Sequence, residues 1–217
     1  MKETYSFNID NVLNIFTSDT LNNLIKNYHQ DKYYYLDQIH SDKILIVDNN
    51  YHNNTSGDAL VTTSKNTPII IKTADCIPIL IYDNKQKILG LIHSGWRGTL
   101  KNITKKCLDL FLETYHSHKE DISIYIYPSI RECHFEVEID VYLEFKNTYH
   151  NIDDFTIKKQ NKYYIDLVGL LKDILLNLGI NNIYDSKICT YCNHDKYHSY
   201  RYNHTNERNY LLAYIKE

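Results

Sequence analysis

The chain has 217 residues, is 43% hydrophobic and carries a formal net charge of −3. That length can bury a full core, and with no Pro-, Gly- or Ser-rich spacer it reads as one domain over residues 1–217. The absence of both a long like-charge run and the ~18 consecutive apolar residues of a membrane span argues against nucleic acid and membrane as partners, leaving small molecules.

The amino-terminal stretch MKETYSFNIDNVLNIF has no long apolar leader segment. Five cysteines, an odd number in a chain too long to depend on staples, fit free thiols in a reducing compartment. A soluble cytoplasmic protein is expected, its oligomeric state left open. Six short runs rich in Ile, Val and Tyr then read as strands: Lys43–Asp48, Asp58–Thr62, Pro68–Lys72, Ile77–Asp83, Ile88–His93 and Ile122–Tyr127. Ile77–Tyr82 and Ile88–Ile92 are nearly continuous apolar, which predicts a central hairpin buried on both faces and joined by Asp83–Lys87. Pro78 must lie at a strand start, bulge or edge, because it cannot donate to a ladder.

Helical spacing appears at Ile103, Cys107, Leu110 and Phe111, weakly over Glu136–Tyr149, and clearly at Leu167, Leu170, Leu171, Ile174, Leu175 and Leu178. Asp166 suits the start of the last helix and Gly179 its end. Strands and helices do not alternate, so a doubly wound sheet is not predicted. The fold class expected is α+β, a single domain of mixed β-sheets packed together with helices outside.

His40, Cys76 and His93 each stand at a predicted strand boundary, where a sheet holds side chains and loops leave a cleft. Two imidazoles and one thiolate suit Zn2+, with Cu a competitor, and three protein ligands leave a position open for water. The bland alternative is a buried cysteine beside unrelated histidines. In Ser94-Gly95-Trp96-Arg97-Gly98, two glycines at a strand-to-helix junction allow close backbone approach, and Arg97 could clamp phosphate or carboxylate. The alternative there is a structural turn with Trp96 packed on the core.

Gln38-x-His40, Asp58–Thr62, Thr73-Ala74-Asp75-Cys76-x-Pro78, His93–Gly98, Pro128-Ser129-Ile130 with Cys133 and Glu136-Val137, Cys189-Thr190 and Ser199-Tyr200-Arg201 occur in that order. In this the chain resembles the YfiH or laccase-domain family, once labelled polyphenol oxidase and described as zinc-dependent purine nucleoside phosphorylases, with peptidoglycan editing in some bacteria. The resemblance runs from about Gln38 to Arg208. It implies a YfiH-like fold, with zinc on His40, Cys76 and His93. Tyr127 replaces a usual Gly, Ser94 an Ala, His134 a second Cys and Tyr202 a second Arg, and Tyr127 and Tyr202 are expected near the pocket.

The activities implied are phosphorolysis of adenosine, inosine, guanosine or methylthioadenosine and deamination of adenosine. Deamination is the easier to rationalise, by activation of water for attack at the purine C6. Asp75, then Asp58, are candidates to shuttle protons, and either may instead orient a ligand. Arg97, with Arg201 or Arg208, is the candidate for phosphate, with Ser94 beside it. The competing reading is a cysteine hydrolase or amidase in peptidoglycan-precursor editing, with Cys76 as nucleophile, His93 as base and the Ser94–Gly98 turn as oxyanion hole. A multicopper laccase needs repeated His-x-His pairs, and the chain has only His116-Ser117-His118. A non-catalytic zinc protein would close its metal with four ligands. Cys189-x-x-Cys192-x-His194 with His198 resembles a zinc knuckle of the wrong spacing; a strand and loop that happen to be rich in Cys and His is the expectation, with Cys189 packed.

Overall fold

Strands whose two faces are both apolar need a layer on each side, and the chain supplies two different ones. In the computed structural model, which describes residues 2–28, 32–48 and 50–217, the strands are β1 Thr4–Tyr5, β2 Val12–Thr17, β3 Tyr34–Tyr35, β4 Ile44–Ile46, β5 Ala59–Thr62, β6 Ile69–Thr73 and β7 Ile77–Asp83. They continue as β8 Ile88–Ser94, β9 Ile122–Ile126, β10 Glu136–Val137, β11 Thr156–Lys159, β12 Lys162–Ile165, β13 Asn182–Asp185 and β14 Asn209–Ile215. The helices are α1 Leu21–Asn27, α2 Trp96–Leu100, α3 Ile103–Asp109, α4 Ile139–Thr148, α5 Leu167–Asn177 and α6 Tyr200–Asn203.

A six-stranded mixed sheet, in the order β13-β9-β7-β8-β5-β4, is the centre of the molecule. Side chains alternate across it. Ile77, Ile79, Ile81, Ile88 and Ile92 face one way, onto Ile103, Cys107 and Phe111 and onto Leu167, Leu170, Leu171 and Leu175 of α5. Leu80, Tyr82, Leu89 and Leu91 face the other way, onto Phe16, Ile69, Ile71, Leu211 and Ala213 of a five-stranded sheet in the order β1-β2-β14-β6-β3. Leu24 of α1 covers that second sheet at Ile70 and Leu212. The order of layers is therefore helices, sheet, sheet, helix, and the α+β expectation holds. A three-stranded sheet, β10-β12-β11, flanks them.

The central hairpin forms as expected, with Ile77 opposite Ser94 and Asp83 opposite Ile88. Pro78 is the second residue of β7, so its missing N–H falls at the strand start. The Glu136–Tyr149 segment divides into β10 and α4, and α3 runs on into a π-helical turn at Leu110–Thr114. Asp166 caps α5 by accepting from Gly169 N–H at 2.8 Å, and Gly179 just beyond that helix adopts a left-handed φ of 82°. Replacing an N-cap carboxylate with alanine strands a helix donor. Asp166→Ala is thus expected to lower unfolding free energy by about 1 kcal/mol, measured by urea denaturation.

Candidate metal centre

The end of the six-stranded sheet where β5 begins, β8 ends and β7 begins is where the ligand residues meet. His93 lies on β8 opposite Pro78. Cys76 immediately precedes β7, and His40 stands on the loop before β4 with a left-handed φ of 56°. One donor atom each from His40, Cys76 and His93 lies within 4.8 Å of the others. The His40 Nε2 is 3.8 Å from Cys76 Sγ, and the two imidazoles meet edge to face at 4.8 Å between centroids. His93 is buried, Cys76 half-buried and His40 exposed, so the trio opens to solvent on the His40 side.

Asp58 holds this arrangement. Its side chain is 0% exposed. One oxygen accepts from His93 Nδ1 at 2.8 Å and from His40 N–H at 3.0 Å, and the other accepts from Ser41 N–H at 2.6 Å and Ser41 Oγ at 2.7 Å. Its own carbonyl accepts from His93 N–H at 2.8 Å. An imidazole whose Nδ1–H is given to a carboxylate keeps Nε2 free for a metal. Burial by itself would raise the Asp58 pKa, but the hydrogen bonds from His93 and Ser41 and the His93 charge hold it below the ordinary carboxylate value. Burial likewise pushes the Cys76 thiol up, but the His93 charge and hydrogen bonds from both histidines bring it down. His93 is driven down by burial and, more strongly, up by the Cys76 charge and the Asp58 bond. For Cys76 and His93, each shift thus favours the charged form of the group, through the charge of the other.

Asp75 shapes the approach to Cys76. It has a left-handed φ of 88°, and its carboxylate accepts from Thr190 Oγ1 and from Arg201 N–H, each at 2.7 Å. Its carbonyl accepts from Ile130 N–H at 2.9 Å. Gly95 is needed for a different reason: a Cβ there would lie 3.0 Å from both Cys76 Sγ and His40 Cδ2.

A cleft of about 530 Å³ opens at the trio, lined by Gln38, Lys72, Thr73, Tyr200, Arg208 and Tyr210 beside the ligands. Several expected site residues lie elsewhere. Asp58 and Asp75 are buried, with their oxygens already engaged, so they orient rather than face a substrate. Ser94 is fully buried and shares a hydrogen bond with Thr99 Oγ1 at 3.0 Å. Arg97 stacks over the Trp96 ring at 4.1 Å and lines a separate groove with Leu100 and Asn147, so the five-residue α2 does not present it to the cleft. The Arg201 guanidinium donates to the carbonyls of His134 and Glu136. Tyr127 is fully buried and donates to Asn14 Oδ1 at 2.7 Å, while Tyr202 stacks on His194, so neither lines the cleft. The sequence reading did not single out Lys72, Tyr200 or Tyr210 as cleft residues. Tyr200 is the middle residue of the Ser199-Tyr200-Arg201 motif, which was the available signal. His116 and His118 are exposed on the loop after α3, outside either group of candidate ligands among the described residues.

The donor chemistry fits a metal. Two neutral imidazole nitrogens and one thiolate match zinc, an orienting carboxylate lies behind one of them, and the open side leaves a coordination position. Asp58→Asn is expected to weaken metal binding about 10–100-fold while the fold persists, as read by chelator competition alongside circular dichroism.

Residues 17–215 match the family model described as "Multi-copper polyphenol oxidoreductase laccase". A purine nucleoside phosphorylase of Borreliella burgdorferi is 34% identical over 209 residues, covering 91% of this chain and 90% of its own. A Campylobacter jejuni protein also named purine nucleoside phosphorylase is 33% identical over 86% of this chain and 79% of its own. A protein from an unknown prokaryote named adenosine deaminase RL5 is 32% identical over 66% of this chain and 56% of its own. The fold matches the crystal structure of a Bacillus licheniformis hypothetical protein YfiH, with a TM-score of 0.87, 22% identity, and coverage of 94% of this chain and 93% of that one. The chain belongs to the YfiH family, that of the multi-copper polyphenol oxidoreductase laccase model.

Proposed function

We propose that the protein is a zinc-dependent purine nucleoside phosphorylase working in the cytoplasm on a nucleoside and inorganic phosphate. The observation that carries this reading is the composition of the cleft: three metal donors at its floor, two cations and two tyrosines on its wall, and no carboxylate among the described residues lining it. The names of the relatives point the same way.

Lys72 and Arg208 give the wall positive charge, which suits an oxyanion. The Arg208 guanidinium is steadied by the carbonyls of Thr205 and Glu207, at 2.9 and 2.8 Å. Tyr200 and Tyr210 offer aromatic faces for a purine. Zinc held by His40, Cys76 and His93 would supply Lewis acidity toward an oxygen of the substrate. Asp58 keeps the His93 tautomer fixed, and the Asp75 bend keeps Cys76 aimed at the cleft. Phosphorolysis needs its nucleophile held at the anomeric carbon and developing positive charge tolerated there. The cationic wall provides the first, and phosphate's own negative charge the second. Deamination needs a proton shuttle. With no lining carboxylate, deamination of adenosine is read as the minor activity of the same site.

A specific observation also supports the cysteine-hydrolase reading. Asp58, His93 and Cys76 stand in the order of an acid–base–thiol triad, with the thiol pKa depressed. The two readings separate cleanly. Phosphate-dependent release of hypoxanthine from inosine, measured by chromatography, should disappear with a chelator, return with zinc, and be absent from Cys76→Ala. Intact nucleosides in the presence of bound zinc would overturn the phosphorylase reading. Inactivation by iodoacetamide with indifference to chelator would favour the hydrolase. Arg208→Ala should raise KM for phosphate about tenfold or more with a smaller change for the nucleoside, through loss of a charged hydrogen bond of ~1.5–3 kcal/mol.

A further inference from the structure

Outside the cleft, a second group of soft donors assembles. Cys133, His134, Cys189 and Cys192 each bring one ligand atom within 4.8 Å of the others. Two lie on the loop leading into β10 and two on a tight turn between β13 and α6. The Cys133 sulfur is 3.6 Å from that of Cys189 and 3.7 Å from that of Cys192, and Cys192 Sγ is 3.3 Å from His134 Nδ1. These separations exceed the ~2.05 Å of a disulfide. They approach the edges of a tetrahedron built on metal–sulfur bonds of ~2.3 Å and a metal–nitrogen bond of ~2.0–2.1 Å, which are ~3.8 Å between sulfurs and ~3.5 Å from sulfur to nitrogen.

We propose that Cys133, His134, Cys189 and Cys192 form a closed tetrahedral zinc site that is structural and distinct from the metal centre in the cleft. It forms by loss of three thiol protons to solvent, leaving three thiolates and a neutral imidazole on the ion. Four protein donors leave no position for water or substrate, in contrast to the three at His40, Cys76 and His93.

The surroundings hold the donors in place before any ion arrives. Arg131, 9% exposed, grips Asp185 with two hydrogen bonds of 3.2 and 2.7 Å, fastening the loop before Cys133 to the strand before Cys189. Ser129 and Cys189 form an isolated parallel bridge, with Thr190 N–H donating to the Ser129 carbonyl at 3.1 Å. The Tyr191 ring stacks on the His134 imidazole at 3.9 Å and sets its plane. Cys133 and Cys192 are exposed, so an ion can reach the group from solvent. Within the knuckle motif, His198 does not take part: its Nε2 lies 2.9 Å from the Ser18 carbonyl and its Nδ1 3.2 Å from Glu207. The spacing to His198 was already wrong for a zinc knuckle, and spacing along the chain could not reveal donors from a distant segment. The missing donors come instead from the Cys133-His134 pair.

The site has a consequence for the cleft. Thr190, next to Cys189, donates to Asp75, and Arg201, whose guanidinium holds the His134 carbonyl, donates its backbone N–H to the same carboxylate. An ion here would therefore stiffen the segments that hold the bend before Cys76.

The test is metal counting on the full chain purified under reducing conditions, with cobalt substitution as a second probe. The expected result is about two zinc ions per chain, falling to about one in Cys76→Ala and to about one in the double variant Cys133→Ser with Cys192→Ser. Cobalt in Cys76→Ala should still show the strong near-ultraviolet absorption of a multi-thiolate tetrahedral site, a readout that needs no change at the proposed ligands. About one zinc in the wild type that vanishes in Cys76→Ala would overturn the proposal. So would a disulfide among Cys133, Cys189 and Cys192, or iron in place of zinc. No nucleoside enters these measurements, and the four-donor site is read by the zinc or cobalt that stays in Cys76→Ala and is lost from the double variant, so the proposal stands or falls separately from the phosphorylase reading.

Discussion

One buried carboxylate organises the candidate metal centre. Asp58 receives the His93 ring, the His40 backbone and both donors of Ser41, so a single side chain fixes two of the three ligands. A fully buried carboxylate without partners costs several kcal/mol. Here every oxygen is engaged, and the resulting geometry is stiff. Asp58 can make these bonds because it lies immediately before β5, whose pairing with β8 sets Ala59 opposite Ile92 and brings the Asp58 carbonyl onto the His93 amide. The chain of cause therefore runs from the apolar strands, through their register, to the tautomer of one imidazole. Slipping that register by one residue would turn His93 toward the opposite face of the sheet.

Asp75 does for Cys76 what Asp58 does for the histidines, by a different route. It sits in a left-handed bend that asparagine and aspartate tolerate better than most residues. Its partners come from the distant loop and helix start at Thr190 and Arg201, so Cys76 is held by the carboxy-terminal quarter of the chain. The arrangement gives the cleft a hydrogen-bonded floor at His40, Cys76 and His93 and a wall of exposed Lys72 and Tyr200 with half-buried Arg208 and Tyr210. The candidate metal donors thus belong to the frame, whereas Lys72, Tyr200, Arg208 and Tyr210 line the wall of the cleft.

The central strands were legible in the sequence because residues buried on both faces leave continuous Ile- and Leu-rich runs, and the α5 boundaries because a cap and a glycine flank a regular apolar stripe. The second sheet was harder. β2 carries the buried Asn14, whose side chain bonds the Phe7 backbone and the Tyr127 hydroxyl, and such a residue breaks the alternation that marks a strand. β11 reads Thr-Ile-Lys-Lys and is largely exposed, so its sequence carries almost no apolar signal. The clustering of His40, Cys76 and His93 was legible because histidine and cysteine at strand ends are few and chemically specific. For Asp58 and Asp75 the sequence left two roles open, proton shuttle or orientation of a neighbour, since a carboxylate's role depends on which donors fold onto it. Arg97 is removed from the cleft by stacking on its own neighbour, a contact that sequence spacing does not reveal.

The family model's description as a multicopper oxidoreductase can be weighed against this donor inventory. Oxidation by several coppers requires ions close enough to pass electrons, each with histidine-rich coordination. Among the described residues there are two groups of potential ligands: one of two imidazoles and a thiolate, the other of three thiols and an imidazole. The second offers four donors in a closed set and has no free position for oxygen. The first has an open position, but it faces a cationic, aromatic cleft suited to an anion and a flat ring. Copper can compete with zinc for such a thiolate site on affinity alone. Its presence after expression in copper-rich medium would report on the softness of Cys76 rather than on the reaction, whereas the wall residues report on what the cleft accepts.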